Sequence, residues 1–104
     1  MGKAQKNDFD ISGEVLWVGM PVEIPGTNNL MKRTIVIEGW VDNKFKQEFA
    51  FDFVNDKMSM LDNIRDEDWV NIDFHLRGRK HIQKDGKARW YINLEGDNCI
   101  VDRD

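Results

Sequence analysis

The stretch Phe45–Phe53 constrains the fold more than any other: Phe49, Phe51 and Phe53 fall at every second position, with Ala50 and Asp52 between them. That period puts the three rings on one side of an extended strand, whereas a helix repeats its apolar positions every three or four residues. The same alternation runs through Phe9, Ile11, Gly13, Val15 and Trp17, with Ser12 and Glu14 interleaved. It returns in Val70, Ile72, Phe74 and Leu76, which alternate with Asn71, Asp73, His75 and Arg77 on a strand running towards Lys80. Two further strands are predicted, from Lys32 to Trp40, rich in Thr, Ile and Val, and from Arg89 to Leu94.

The connections are equally legible. Pro21, Pro25 and Gly26-Thr27-Asn28-Asn29 make a loop of about ten residues, and Asp42-Asn43-Lys44 makes a turn. Asp85-Gly86 suits the positive φ of a tight hairpin. One short helix is expected after the third strand, capped by Asn55 or Asp56, with Met58, Leu61 and Ile64 as its apolar stripe. Arg65-Asp66-Glu67-Asp68 closes it, and Cys99-Ile100-Val101 is expected to add a short edge strand. Three strands, a short helix and two strands are the order of the all-β OB fold, a five-stranded Greek-key barrel with one short helix between strands 3 and 4. Small SH3-like barrels compete, but they normally lack that helix.

At 104 residues the chain reads as one domain over positions 1–104, with residues 1–8 a flexible N-terminal arm. Six Phe and four Trp can supply a core, which argues against disorder. The solitary Cys99 excludes a disulfide within the chain and fits a reducing compartment. No apolar run approaches the ~18 residues that span a bilayer, and Met1 to Asp10 lacks the apolar stretch of a secretory signal. A cytoplasmic protein with no membrane partner is expected.

Catalysis finds no constellation. Ser12 sits inside a predicted strand, Ser59 in the short helix, and Cys99 beside Ile100 and Val101 reads as a small hydrophobe. His75, His81 and Cys99 lack metal-ligand spacing, and no phosphate-cradling glycine loop is present. The Met stripe reads as core, and the consecutive carboxylates Asp66, Glu67 and Asp68 read as a solvated turn. No enzyme, no metal and no cofactor are expected.

Charge is more informative once it is located. The whole chain carries −4, yet His75 to Tyr91 holds Arg77, Arg79, Lys80, Lys84, Lys87 and Arg89 against the single acid Asp85. That segment stands at +5 and the remainder at −9. A solvated hairpin whose bases pair with nearby acids is the bland alternative. A local basic patch interleaved with aromatics instead suits single-stranded nucleic acid, where a positive groove tracks phosphates and ring faces stack bases. Lys32, Arg33, Trp40, Arg77, Arg79, Lys80, Arg89 and Tyr91 are the candidate contacts. Parity favours the core for Trp17 and Trp90, with a place on the binding surface as the open alternative, and turns Tyr91 to the surface; Trp40 beside a turn reads as open, and Trp69 as partly buried against the helix. Glu48 and Asp52 would repel phosphate from the third strand.

The pieces Lys32-Arg33-Thr34-Ile35-Val36-Ile37-Glu38, Phe49-Ala50-Phe51-Asp52-Phe53, Asn55-Asp56-Lys57, Leu61-Asp62-Asn63, Phe74-His75-Leu76-Arg77-Gly78-Arg79 and Arg89-Trp90-Tyr91 carry a resemblance. Over about two-thirds of its length the chain resembles a small OB-fold family usually treated as a domain of unknown function. More distantly it is similar to bacterial and phage single-stranded DNA-binding proteins. The resemblance implies a protein that coats and protects exposed single strands in replication, recombination or repair. Asp97-Asn98 stands where that pattern would place an aromatic and a basic residue, and Val101-Asp102-Arg103-Asp104 lacks the linker and acidic tip that recruit partners. The expected ligand is single-stranded DNA, with RNA as an alternative. A protein-interaction module, using the same surface for a homodimer or another partner, is the competing reading. A sugar-binding OB domain is a third, and other replication or recombination proteins stay open as partners.

Overall fold

Each predicted alternation becomes a strand in the computed structural model, which describes residues 6–41 and 43–102. Its elements are β1 (Phe9–Val18), β2 (Val22–Glu23), β3 (Met31–Val41), β4 (Phe45–Val54), a 3-10 helix (Asn55–Leu61), β5 (Trp69–Ile82) and β6 (Ala88–Asp102). β1 pairs antiparallel with both β3 and β5, β3 with β4, and β5 with β6. The ring closes where β4 meets β6 in parallel, with Asp52 opposite Glu95. A closed five-stranded barrel with a short helix before β5 is the OB fold.

The inward side chains make one core: Val15, Ile35, Ile37, Phe51, Phe53, Leu61, Val70 and Ile72 are fully buried. Burying a side chain of this size is worth about 1.5–3 kcal/mol, so this set carries most of the fold's stability. Phe49, Phe74 and Leu94 pack around it, and Phe9 stacks on Phe74 with ring centres 5.7 Å apart. Gly96 is required on β6 because a Cβ there would overlap the Phe53 ring. At Gly13 a Cβ would run into the carbonyl of Glu38 on the neighbouring strand.

Four local expectations need correction. The loop after β1 contains a two-residue strand, Val22–Glu23, paired with Lys32 and Met31. The helix is 3-10 and takes no side-chain cap; Val54 stands at its N-cap, and Asn55 instead accepts a hydrogen bond from the Met31 N–H at 3.2 Å. Cys99-Ile100-Val101 is no separate edge strand but the continuation of β6, paired with β5 as far as Asp102. An extra residue, Asp97, bulges where the register shifts between Asp73 and Phe74, so the strand bends and carries on. Trp69 stands on the outside of β5, between Glu14 and Asp102, and is about half exposed. Of the turn after β3, Asp42 lies outside the described residues, while Asn43 takes a positive φ of 58°. Residues 1–5 of the N-terminal arm also lie outside them; Asn7 bonds the backbone of Leu76, donating to its carbonyl at 2.7 Å and accepting from its N–H at 2.9 Å.

β5 and β6 run 14 and 15 residues, far longer than a barrel wall of this size requires. Their outer halves therefore leave the barrel as a two-stranded ribbon. The molecule measures 51 × 36 × 29 Å with a radius of gyration of 15.6 Å. A compact chain of this length would have a radius near 13 Å.

Candidate nucleic-acid interface

A groove of about 290 Å³ opens between the ribbon's base and the loop after β2. Lys32, Asp52 and Val54 form its floor; Arg77, Arg79, Asn93 and Glu95 form one wall, and Ile24, Thr27 and Leu30 the other. The strands impose this arrangement. Lys32 and Asp52 have outward parity on β3 and β4, opposite to the buried Ile35 and Phe51. On the ribbon, Arg77 pairs with Asn93, Arg79 with Tyr91 and His81 with Arg89, so these six share one face.

Most cations of the groove are already engaged. Lys32 Nζ lies 3.5 Å from Asp52 Oδ2, and Asp52 also accepts a 2.7 Å hydrogen bond from Thr34. Arg77 Nη1 lies 3.1 Å from Glu95 Oε2. Glu95 in turn is 3.6 Å from His75 Nε2, whose Nδ1 is 2.9 Å from Asp97. Lys57 Nζ reaches Asp97 at 2.8 Å. Burial works to raise the Asp97 pKa, but hydrogen bonds from Lys57 and His75 and their charges outweigh it and hold the carboxyl below its ordinary value. Arg79 keeps its guanidinium 5.6 Å from the Tyr91 ring centre, a cation–aromatic pair open to solvent.

The structure distributes the eight candidates unevenly. Lys32, Arg77 and Arg79 line the groove, with Tyr91 and Arg89 on the same ribbon face beyond it. Trp40 is exposed under Lys46, whose Nζ is 5.2 Å from the ring centre, but it stands eight residues along β3 from Lys32, roughly 26 Å away. Arg33 does not join the groove. It has the inward parity of Ile35, and at the barrel's end its Nε donates to the Gly19 carbonyl at 2.7 Å while Nη1 meets Asp62 at 3.0 Å. Only 17% of its side chain is exposed. Lys80 lies on the opposite ribbon face, with Nζ 5.8 Å from the Trp90 ring.

Trp17 and Trp90 are not core residues. Trp17 follows the irregularity between Val15 and Trp17 in the β1–β3 register, which turns it outward opposite Val36, and Trp90 is 70% exposed. Parity indicates burial only where a second layer covers the strand, and the ribbon has none. The loop residues Ile24, Thr27 and Leu30 were not foreseen either, because no period marks a loop side chain. The half-buried Cys99 thiol is pushed up to about 11 by burial, which leaves it unreactive. Among the described residues no cluster of His, Cys, Asp or Glu could hold a metal, and no helix is long and apolar enough to cross a membrane.

Residues 10–98 match a family described as a domain of unknown function, DUF3127. The chain belongs to the DUF3127 family. No curated protein matches it. Among solved structures, this DUF3127 protein is similar to the mitochondrial single-stranded DNA binding protein Rim1 of S. cerevisiae, with a TM-score of 0.67 at 12% identity over 94% of this chain and 96% of that one. A selenomethionine-labelled crystal of the same yeast protein gives a TM-score of 0.66 at 12% identity, with the same coverage. At that identity the likeness establishes the shared fold.

Proposed function

We propose that this DUF3127 protein binds single-stranded DNA without catalysing a reaction on it. The observation that carries the reading is the groove itself. Its position, between the β3–β4 face and two flanking loops, is the place where OB folds take oligonucleotides. One wall is a ribbon face built from Arg77, Arg79, Arg89 and Tyr91. Phosphates would run along the arginines while bases stack on Tyr91, and Trp40 would take bases only where a longer strand follows β3 to its far end. The yeast relative in fold is named for the same ligand.

Coating exposed strands in replication, recombination or repair is the role such binding would serve, in a reducing, cytoplasm-like compartment suited to the lone Cys99. Gel shifts with oligo-dT, oligo-rU and duplex DNA at low and moderate salt test the proposal. Retention of oligo-dT that fades steeply with salt supports it, because phosphate contacts release counterions. Preference for oligo-rU would reassign the ligand to RNA, and equal or better binding of duplex would overturn the reading.

A further inference from the structure

The ribbon has a second face, and its chemistry is opposite to the first. Leu76, Lys80 and Ile82 on β5 pair with Leu94, Trp90 and Ala88 on β6, and Ile92 sits opposite Gly78. Trp90 is 70% and Ile92 69% exposed, with Ile82 more than half open. A contiguous row of exposed apolar side chains on one ribbon face marks an interaction surface more often than scattered single ones do. An isolated two-stranded ribbon is also marginal in water and gains stability by packing one face. Aliphatic Ile82 and Ile92 offer a base nothing to stack on, so a protein surface suits this face better than a nucleic acid.

The chain itself carries a complementary surface. On the back of the barrel, Asp10, Asp73 and Asn98 lie side by side across β1, β5 and β6, as do Glu14, Trp69 and Asp102. Between these rows Asn71 is flanked by Ser12 and Ile100, and those three strands present no Lys or Arg there. Trp69 is 48% and Ile100 56% exposed. Asp10 directly opposite Asp73 is a like-charge pair, which costs a sheet stability until a cation neutralises it. An apolar ribbon face whose one cation is Lys80 fits an apolar surface rimmed by carboxylates.

We propose that the Trp90 face of the ribbon docks on the acidic back of the barrel in a second copy of this chain. The contact joins two different surfaces, so it repeats head to tail and builds rings or open rows of protomers. The arginine face of every ribbon stays free.

Two full-length variants test the docking by sedimentation equilibrium. Trp90→Glu disables the ribbon, and Asp10→Lys with Ile100→Lys disables the back; all three positions are exposed, and thermal melts check that each chain is folded. If Trp90→Glu does not fold, Lys80→Glu takes its place. The wild-type mass should rise with concentration above the 12.2 kDa of one chain. Each variant alone should stay at one chain mass. An equimolar mixture of the two should form a pair and nothing larger, because one intact ribbon then meets one intact back. A wild-type protein that stays monomeric overturns the proposal. So does continued association of the back variant, which would mean that ribbons pair with each other. So does a Trp90→Glu protein of unchanged mass but reduced affinity for oligo-dT, which would give this face to nucleic acid.

Discussion

Arg77 on β5 and Glu95 on β6 meet at 3.1 Å on the wall of the groove, so the arginine best placed for a phosphate is already held by a carboxylate. Glu95 also reaches His75, and through Asp97 the chain of charge continues to Lys57 beside the barrel. A strand entering the groove must therefore compete with an internal acid for Arg77. That competition would keep affinity moderate and make it adjustable from the protein side.

Glu95→Gln should tighten binding to oligo-dT by about two- to tenfold, since a released charge-assisted bond is worth on the order of 1 kcal/mol. The salt slope should steepen by a fraction of a unit as Arg77, freed from Glu95, engages its phosphate more fully. Fluorescence titrations at several salt concentrations would show both effects. A weaker complex would mean that Glu95 orders the groove instead of competing with its ligand.

Tyr91→Ala should weaken binding of oligonucleotides of every length by roughly five- to a hundredfold, the value of one stacked base, with no loss of melting temperature. Trp40→Ala should matter only for longer strands, because the ring lies far along β3 from Lys32. Oligo-dT of about 4 and about 16 nucleotides, the span of OB-fold site sizes, separates the two residues. An equal loss for both lengths on Trp40→Ala would place that ring in the primary groove.

Arg33→Ala should cost stability, not affinity. Its bond to the Gly19 carbonyl lies at the barrel's end, and losing it should remove about 1–2 kcal/mol, a fall in melting temperature of about 4–16 °C for a domain of this size. A normal melt with reduced DNA affinity would return Arg33 to the binding surface. Gly96→Ala is a harsher structural test: a Cβ against the Phe53 ring should cost about 1–3 kcal/mol as the core shifts to admit it.

The lowered Asp97 pKa predicts an acid limb of stability. A carboxyl held below its ordinary value of 3.8 contributes stability that is fully present above that pH and is lost as pH falls through the folded-state value. Asp97→Asn should therefore lower the melting temperature at neutral pH, and the gap to the wild type should close under acid. A gap that persists unchanged at low pH would mean that Asp97 acts through shape and not through charge.

Strand order was legible because Phe49, Phe51 and Phe53, and likewise Val70 and Ile72, must all face one core, and that requirement writes a period of two into the chain. The groove was half legible. Arg77 and Arg79 are marked by charge, but their partner Glu95 is not, because a cross-strand pair depends on the hairpin register. The exposure of Trp90 is hidden for a related reason: its parity matches Ile92 and Leu94, yet past Leu94 the ribbon has left the barrel and that side faces water. Arg33 shows the reverse error, a cation next to Lys32 in sequence that the alternation of β3 turns to the other side.

The slope of log affinity against log salt for oligo-dT, compared between the wild type and the Arg77→Ala, Arg79→Ala double variant, tests the central claim most directly. Measurable wild-type binding with a steep slope is expected, and a variant that binds more weakly with the slope reduced by about one to two units, near one per phosphate contact removed. Identical affinity and slope in the two proteins would contradict it, because the groove and its ribbon would then lie off the path of the strand.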